Sequence, residues 1–114
     1  MYQLKFVNQV QIGSSPYNYA EVVLNGEYVP NLKLYRFQDK GCLNKTRTSV
    51  VLIQWAVTNN EPGFIVWLIS EADLSVKKTD RFEGCCEKVF FNDDENVEIS
   101  YRVDDELRKK ILPT

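Results

Sequence analysis

Alternation of apolar and polar residues with a period of two dominates this chain. Leu4, Phe6, Val10 and Ile12 fall on one side of an extended segment, and Gln3, Lys5, Gln9 and Gln11 on the other. That is the pattern of an amphipathic strand, with an interruption near Asn8. After a break at Ser14-Ser15-Pro16, Tyr19–Leu24 reads as a strand, Asn25-Gly26 as a tight hairpin turn and Glu27–Phe37 as the return strand. Asn-Gly suits a type I′ turn because both central residues need positive φ. Pro30 cannot donate a ladder hydrogen bond, so it places a bulge or an edge position in the return strand. Gln38–Thr48 is polar, contains Gly41 and reads as a loop.

The core follows. Ser49–Val57 and Phe64–Ile69 are apolar on both faces apart from Gln54, as strands covered on both sides are. Joined by the polar connection Thr58–Gly63, they predict a central hairpin that carries Trp55 and Trp67 and hides both indoles. Leu74–Arg81 reads as a weaker strand and Lys88–Phe91 as a short one. Beyond the turn Asn92–Asn96, Val97, Ile99, Tyr101 and Val103 alternate with Glu98, Ser100 and Arg102, which predicts a strand with the first set inward. In Asp104–Ile111 acids lead and bases follow, in keeping with a helix dipole, and Leu107 with Ile111 forms a small apolar stripe; the segment predicts a short C-terminal helix. The whole predicts an all-β, mainly antiparallel fold, a β-sandwich or strongly curved sheet of about seven or eight strands. Residues 1–114 form one domain, since the length holds one and shows no linker, repeat or low-complexity tract.

Composition narrows the function classes. The net charge of −2 argues against a nucleic-acid binder that relies on a basic surface. Charge is nonetheless uneven: residues 1–57 carry six bases against three acids, and residues 58–114 carry eight against thirteen. Histidine is absent, which removes Ser-His-Asp and Cys-His nucleophilic sites, imidazole bases and the usual His-containing zinc sites. No enzyme mechanism is indicated, and no cofactor. The N-terminus lacks the apolar run of a signal peptide, and no apolar stretch is long enough to cross a bilayer as a helix; a cytoplasmic setting is expected. The odd cysteine count (Cys42, Cys85, Cys86) agrees with reduced thiols in that setting. On a strand, adjacent Cys85 and Cys86 would face opposite ways, one into the core.

The densest polar cluster is Asp93-Asp94-Glu95 with Glu98, preceded by Glu83 and Glu87. Its acids are consecutive and no glycine lies in the loop, so calcium-loop spacing is not met. Tyr17, Tyr19, Tyr28, Tyr35 and the tryptophans could form an aromatic surface, although aromatics at strand spacing usually belong to a core. Tyr17 and Tyr19 stand apart because they flank a proline-containing turn.

Ser15–Val22, Ser49–Trp55 leading through a Pro-Gly loop into Phe64–Ile69, and Val97–Tyr101 together resemble a loose group of small all-β bacterial proteins. Several of that group sit beside toxin genes as presumed immunity proteins. Where such chains often carry a Pro-Asp-Gly-like turn before the long strand, this one has Lys45-Thr46-Arg47-Thr48. The resemblance implies a stoichiometric inhibitor, with loops on a rigid β-scaffold set against a toxin's cleft. A cationic partner would suit the acidic half, with Glu83, Glu87, Asp93, Asp94 and Glu95 as contact residues. Two other classes compete with it: a structural or assembly subunit using an exposed strand edge, and a small-ligand or carbohydrate-binding module using Tyr17, Tyr19 or a tryptophan.

Overall fold

The structure, a computed structural model, describes residues 2–13, 15–28, 36–70 and 76–113. It is all-β and antiparallel, with no helix among the described residues. In chain order the strands are β1 (Leu4–Gln11), β2 (Asn18–Leu24), β3 (Glu27–Tyr28), β4 (Phe37–Leu43), β5 (Ser49–Trp55), β6 (Gly63–Ser70), β7 (Val76–Lys78), β8 (Phe82–Glu83), β9 (Cys85–Phe91), β10 (Val97–Val103) and β11 (Glu106–Leu112). A large sheet runs β1-β2-β4-β5-β6-β7, with β3 on β2 and β8 on β6; a second sheet runs β11-β10-β9. The expectation of a sandwich or curved sheet holds: the small sheet packs on one face of the large one, and β9 lies across β4, β5 and β6.

The predicted central hairpin is β5–β6, in unbroken register from Ser49↔Ser70 to Trp55↔Phe64. Because successive side chains point to opposite faces, β5 feeds two clusters. Val50 and Leu52 join Val22, Leu24, Phe37, Trp67 and Ile69 on one face. Val51 and Ile53 join Phe64, Val66, Cys86, Val97 and Ile99 beneath the small sheet. All four β5 residues are inaccessible to solvent. At Asn25-Gly26 both residues have positive φ (54° and 81°), as the primed hairpin turn requires. Of the predicted return strand, residues 27–28 form β3 and Phe37 opens β4, while residues 29–35, with Pro30 and Tyr35, lie outside the described residues. Leu74 and Ser75 do too; of the remainder of that weaker strand Val76–Lys78 form β7, and β8 follows past Arg81.

Three sequence expectations need correction. First, the polar stretch expected to be a loop contains β4, which pairs with β2 on one side and β5 on the other. Gln38 can be fully buried there because its side-chain amide is bonded twice to the backbone of Cys86: Nε2 donates to the carbonyl (3.1 Å) and Oε1 accepts from the N–H (3.3 Å). Gly41 permits close packing, since a Cβ there would stand 2.6 Å from the Val51 carbonyl oxygen and 3.2 Å from the Phe6 ring.

Second, the C-terminal segment is a strand, not a helix. Asp104 takes φ +53° at the turn, and the chain returns along β10 from Val103↔Glu106 to Val97↔Leu112. A spacing of four, as between Leu107 and Ile111, puts two residues on one face of a strand as well as of a helix. A two-turn helix is marginal alone, whereas the β10 edge offers seven paired residues.

Third, Val10 and Ile12 do not share a face with Leu4 and Phe6. Register shifts by one between Val7↔Glu21 and Val10↔Tyr19, at Asn8 with φ +53°. One extra residue inverts everything that follows it on the strand. Leu4 and Phe6 pack on the Val50–Leu52 face, while Val10 (44% exposed) and Ile12 (37%) turn to the other. The interruption expected near Asn8 is therefore real, and it changes which side of the sheet is apolar.

Candidate functional site

Ile12, on the inverted side of the β1 bulge, lies against Tyr17: the Ile12 N–H donates to the Tyr17 carbonyl at 3.0 Å. Tyr17 and Tyr19 sit two residues apart across the start of β2, so both point to the face that carries the small sheet. Trp55 ends β5 with the same parity as Val51 and Ile53, but the small sheet no longer covers it. Trp67, on the opposite face, is only 2% exposed and packs edge-on to Phe37. The expectation that both indoles are hidden thus holds for Trp67 and fails for Trp55, which is half-buried.

These side chains enclose an open cleft of about 380 Å³, completed by Ser15, Arg36, Val57, Pro62 and Cys85. Its rings are fastened. The Trp55 indole N–H donates to the Asn18 carbonyl at 3.0 Å, and Tyr17 meets Trp55 edge-on at 6.1 Å between centroids. The Arg36 guanidinium lies over the Tyr19 ring at 4.7 Å, and the Lys40 ammonium is 5.9 Å from the Tyr17 ring. The Tyr17 hydroxyl donates to Glu87 at 2.8 Å, and the same carboxylate oxygen accepts from Arg102 Nε at 2.9 Å.

A second bulge makes that last contact. Between Ser100↔Lys88 and Tyr101↔Cys86 the β9 register slips by one, leaving Glu87 as the extra residue. The slip puts Cys86 in the core, while Cys85 stays half-buried at the cleft, as expected for adjacent cysteines on a strand. Glu87 is held below the usual carboxylate range by its hydrogen bonds from Arg102 and Tyr17. Desolvation, then the hydrogen bond to Glu87, pushes the Tyr17 phenol up to about 12. Burial also raises the Cys85 thiol, so the cleft presents a neutral thiol and not a nucleophilic thiolate.

The five acids expected as contact residues fall in two places. Glu83 is exposed on β8, and Glu87 is engaged with Tyr17 and Arg102. Asp93, Asp94 and Glu95 are exposed in the β9–β10 turn, which is organised by the Asn92 side chain accepting from the N–H groups of Asp94 and Asn96. The length of β9 separates the two sets by roughly 20 Å at ~3.3 Å per residue. Among the described residues no three carboxylates or thiols converge as metal ligands. Tyr17 and Tyr19 were legible as candidates; Ile12, Arg36 and Cys85 were not, because two bulges and a sheet margin bring them together. Comparison with protein-family models, with curated proteins and with solved structures finds no match.

Proposed function

We propose that the protein is a non-catalytic binding module that takes up a compact apolar ligand in the cleft between the β1–β2 hairpin and the margin of the small sheet. The observation that carries this reading is the convergence of Ile12, Tyr17, Tyr19 and Trp55 from the β1–β2 hairpin and β5 into one open cavity, with the Tyr17 hydroxyl and the Trp55 indole N–H already bonded. Rings fixed before binding lose little conformational freedom when a ligand arrives. The volume of about 380 Å³ falls at the lower end of the roughly 300–1,000 Å³ usual for small-molecule sites. A sugar would bring a hydroxyl for almost every carbon, and the cleft has too few polar groups to bond them. The test is protein-observed NMR with naphthamide as a neutral aromatic probe. The Trp55 indole N–H signal should shift saturably and the Trp67 signal should not, and Tyr19→Ala should weaken binding at least fivefold. A naphthamide titration that leaves the Trp55 signal in place, or moves both indoles alike, would overturn the reading.

A second reading, the stoichiometric inhibitor of a cationic toxin, is favoured by the exposure of Asp93, Asp94 and Glu95 at one hairpin tip. Its expected signature is slower association and a flatter salt dependence with such a partner after joint Asp93→Asn, Asp94→Asn and Glu95→Gln substitution. Unchanged kinetics would remove these acids from the interface.

A further inference from the structure

We infer that the ligand of the aromatic cleft is a small organic anion, a flat apolar body carrying one carboxylate that the Arg36 guanidinium receives. The inference rests on the cleft being a binding site and concerns the chemistry of what enters it.

Charge around the cavity is one-sided. Among the described residues Arg36 is the one charged side chain in its lining, it is exposed, and no carboxylate shares that lining. Lys40 adds a second positive charge at the Tyr17 end. Of the nearby carboxylates, Glu87 is engaged by Arg102 and the Tyr17 hydroxyl, and Asp39 by the Asn18 side-chain amide at 2.9 Å. The excess of bases in residues 1–57, which supply most of the cleft, points the same way.

Geometry adds to charge. Arg36 is braced against the Tyr19 ring, and among the described residues no carboxylate is ion-paired with it, so its planar fork stands ready for a ligand. A guanidinium so placed matches a carboxylate through two parallel N–H donors. Beyond it the walls are Ile12, Trp55 and Val57, the last 64% exposed, which offer a ring nothing to bond but much to cover. A neutral ligand would leave the guanidinium facing solvent; a cationic one would meet both Arg36 and Lys40.

The test is calorimetric titration at low salt with three probes of one shape: naphthoate (anion), naphthamide (neutral) and naphthylmethylammonium (cation). Naphthoate should bind about tenfold more tightly than naphthamide, and the ammonium more weakly than either. In Arg36→Gln, the ratio of naphthoate to naphthamide affinity should fall to about one; Arg36→Lys should retain part of the preference. The Arg36 backbone carbonyl, which accepts from the Trp55 N–H at 2.9 Å, is untouched by either change, so the strand should persist. Equal affinities for the three probes, or a preference that survives Arg36→Gln, would overturn the anion assignment alone. Absence of saturable binding by all three would overturn the cleft as a site, and the assignment with it.

Discussion

Replacing Gln38 by leucine tests how the two sheets are joined. In the native protein the Gln38 amide acts as a strand segment in miniature, giving one hydrogen bond to the Cys86 carbonyl and taking one from its N–H. Gln38 and Cys86 are both inaccessible to solvent. Leucine has similar volume and no polar atoms, so Gln38→Leu leaves a donor and an acceptor unpaired in the interior. Each such group costs about 1–3 kcal/mol, and allowing for the apolar contacts leucine adds, the expected loss is about 2–5 kcal/mol. That is a large part of the roughly 5–15 kcal/mol by which domains are stable. At this chain length it corresponds to a fall in Tm of roughly 8–20 °C. Gln38→Glu supplies the internal check. An ionised carboxylate can accept from the Cys86 N–H, but its second oxygen faces the Cys86 carbonyl, and only the protonated acid donates there. The folded protein therefore raises the pKa of that glutamate, and its contribution is present below the ordinary value of about 4.3 and lost as pH rises through the raised one. Urea denaturation followed by circular dichroism, at about pH 4 and about pH 7, measures both variants. A Gln38→Leu loss under about 0.5 kcal/mol, or a Gln38→Glu penalty that does not grow with pH, would refute the bridge.

Gly84 has φ +94° and donates its N–H to the Pro62 carbonyl, and a Cβ there would run into the Arg102 carbonyl oxygen, so Gly84→Ala should cost about 2–4 kcal/mol in urea denaturation. Gly26→Ala, also at positive φ but with open space around it, should cost about 1 kcal/mol, and equal costs would contradict the packing at Gly84. Tyrosinate absorbance should show a phenol titrating near 12 that Tyr17→Phe removes; since this pKa is raised above 10, the Tyr17 contribution to stability is full below pH 10 and lost as pH rises through 12. The Glu87 carboxylate, being lowered, contributes above the ordinary carboxylate pKa and stops contributing as pH falls through its folded value, so Tyr17→Phe should flatten acid unfolding. Identical acid limbs for wild type and variant would count against the Tyr17–Glu87 contact.

What could be read from the residues was what local pattern decides. The Asn25-Gly26 turn, the doubly apolar β5–β6 hairpin, the alternation of β10 and the divided cysteines all follow from spacing and turn chemistry. What could not be read depends on partners far along the chain. Gln38 looks like a loop residue until Cys86, 48 positions away, is known to satisfy it. Leu107 and Ile111 fit a helix as well as a strand until β10 is known to have an open edge. The acids are close in sequence, but how far apart they stand is set by the length of β9, which lies between the two sets.

The cleft shows why aromatic residues resist assignment by pattern alone. Trp55 and Trp67 occupy the same kind of hydrophobic run, and nothing local separates them. What separates them is the extent of the small sheet. Its three strands cover Val51, Ile53 and Phe64 but stop short of Trp55 and the first turn of the β2 ribbon. A fourth strand on that side would make Tyr17, Tyr19 and Trp55 ordinary core. With only three, the large sheet runs past its cover, and the bulge in β1 turns Ile12 toward the uncovered margin, where it forms a wall. The second bulge then sends Glu87 across to hold Tyr17, at a place where regular alternation would have aimed it into the core. Two inserted residues and one narrow sheet thus turn the edge of a hydrophobic core into a cavity with fixed walls, and Arg36 at its mouth gives that cavity a charge preference.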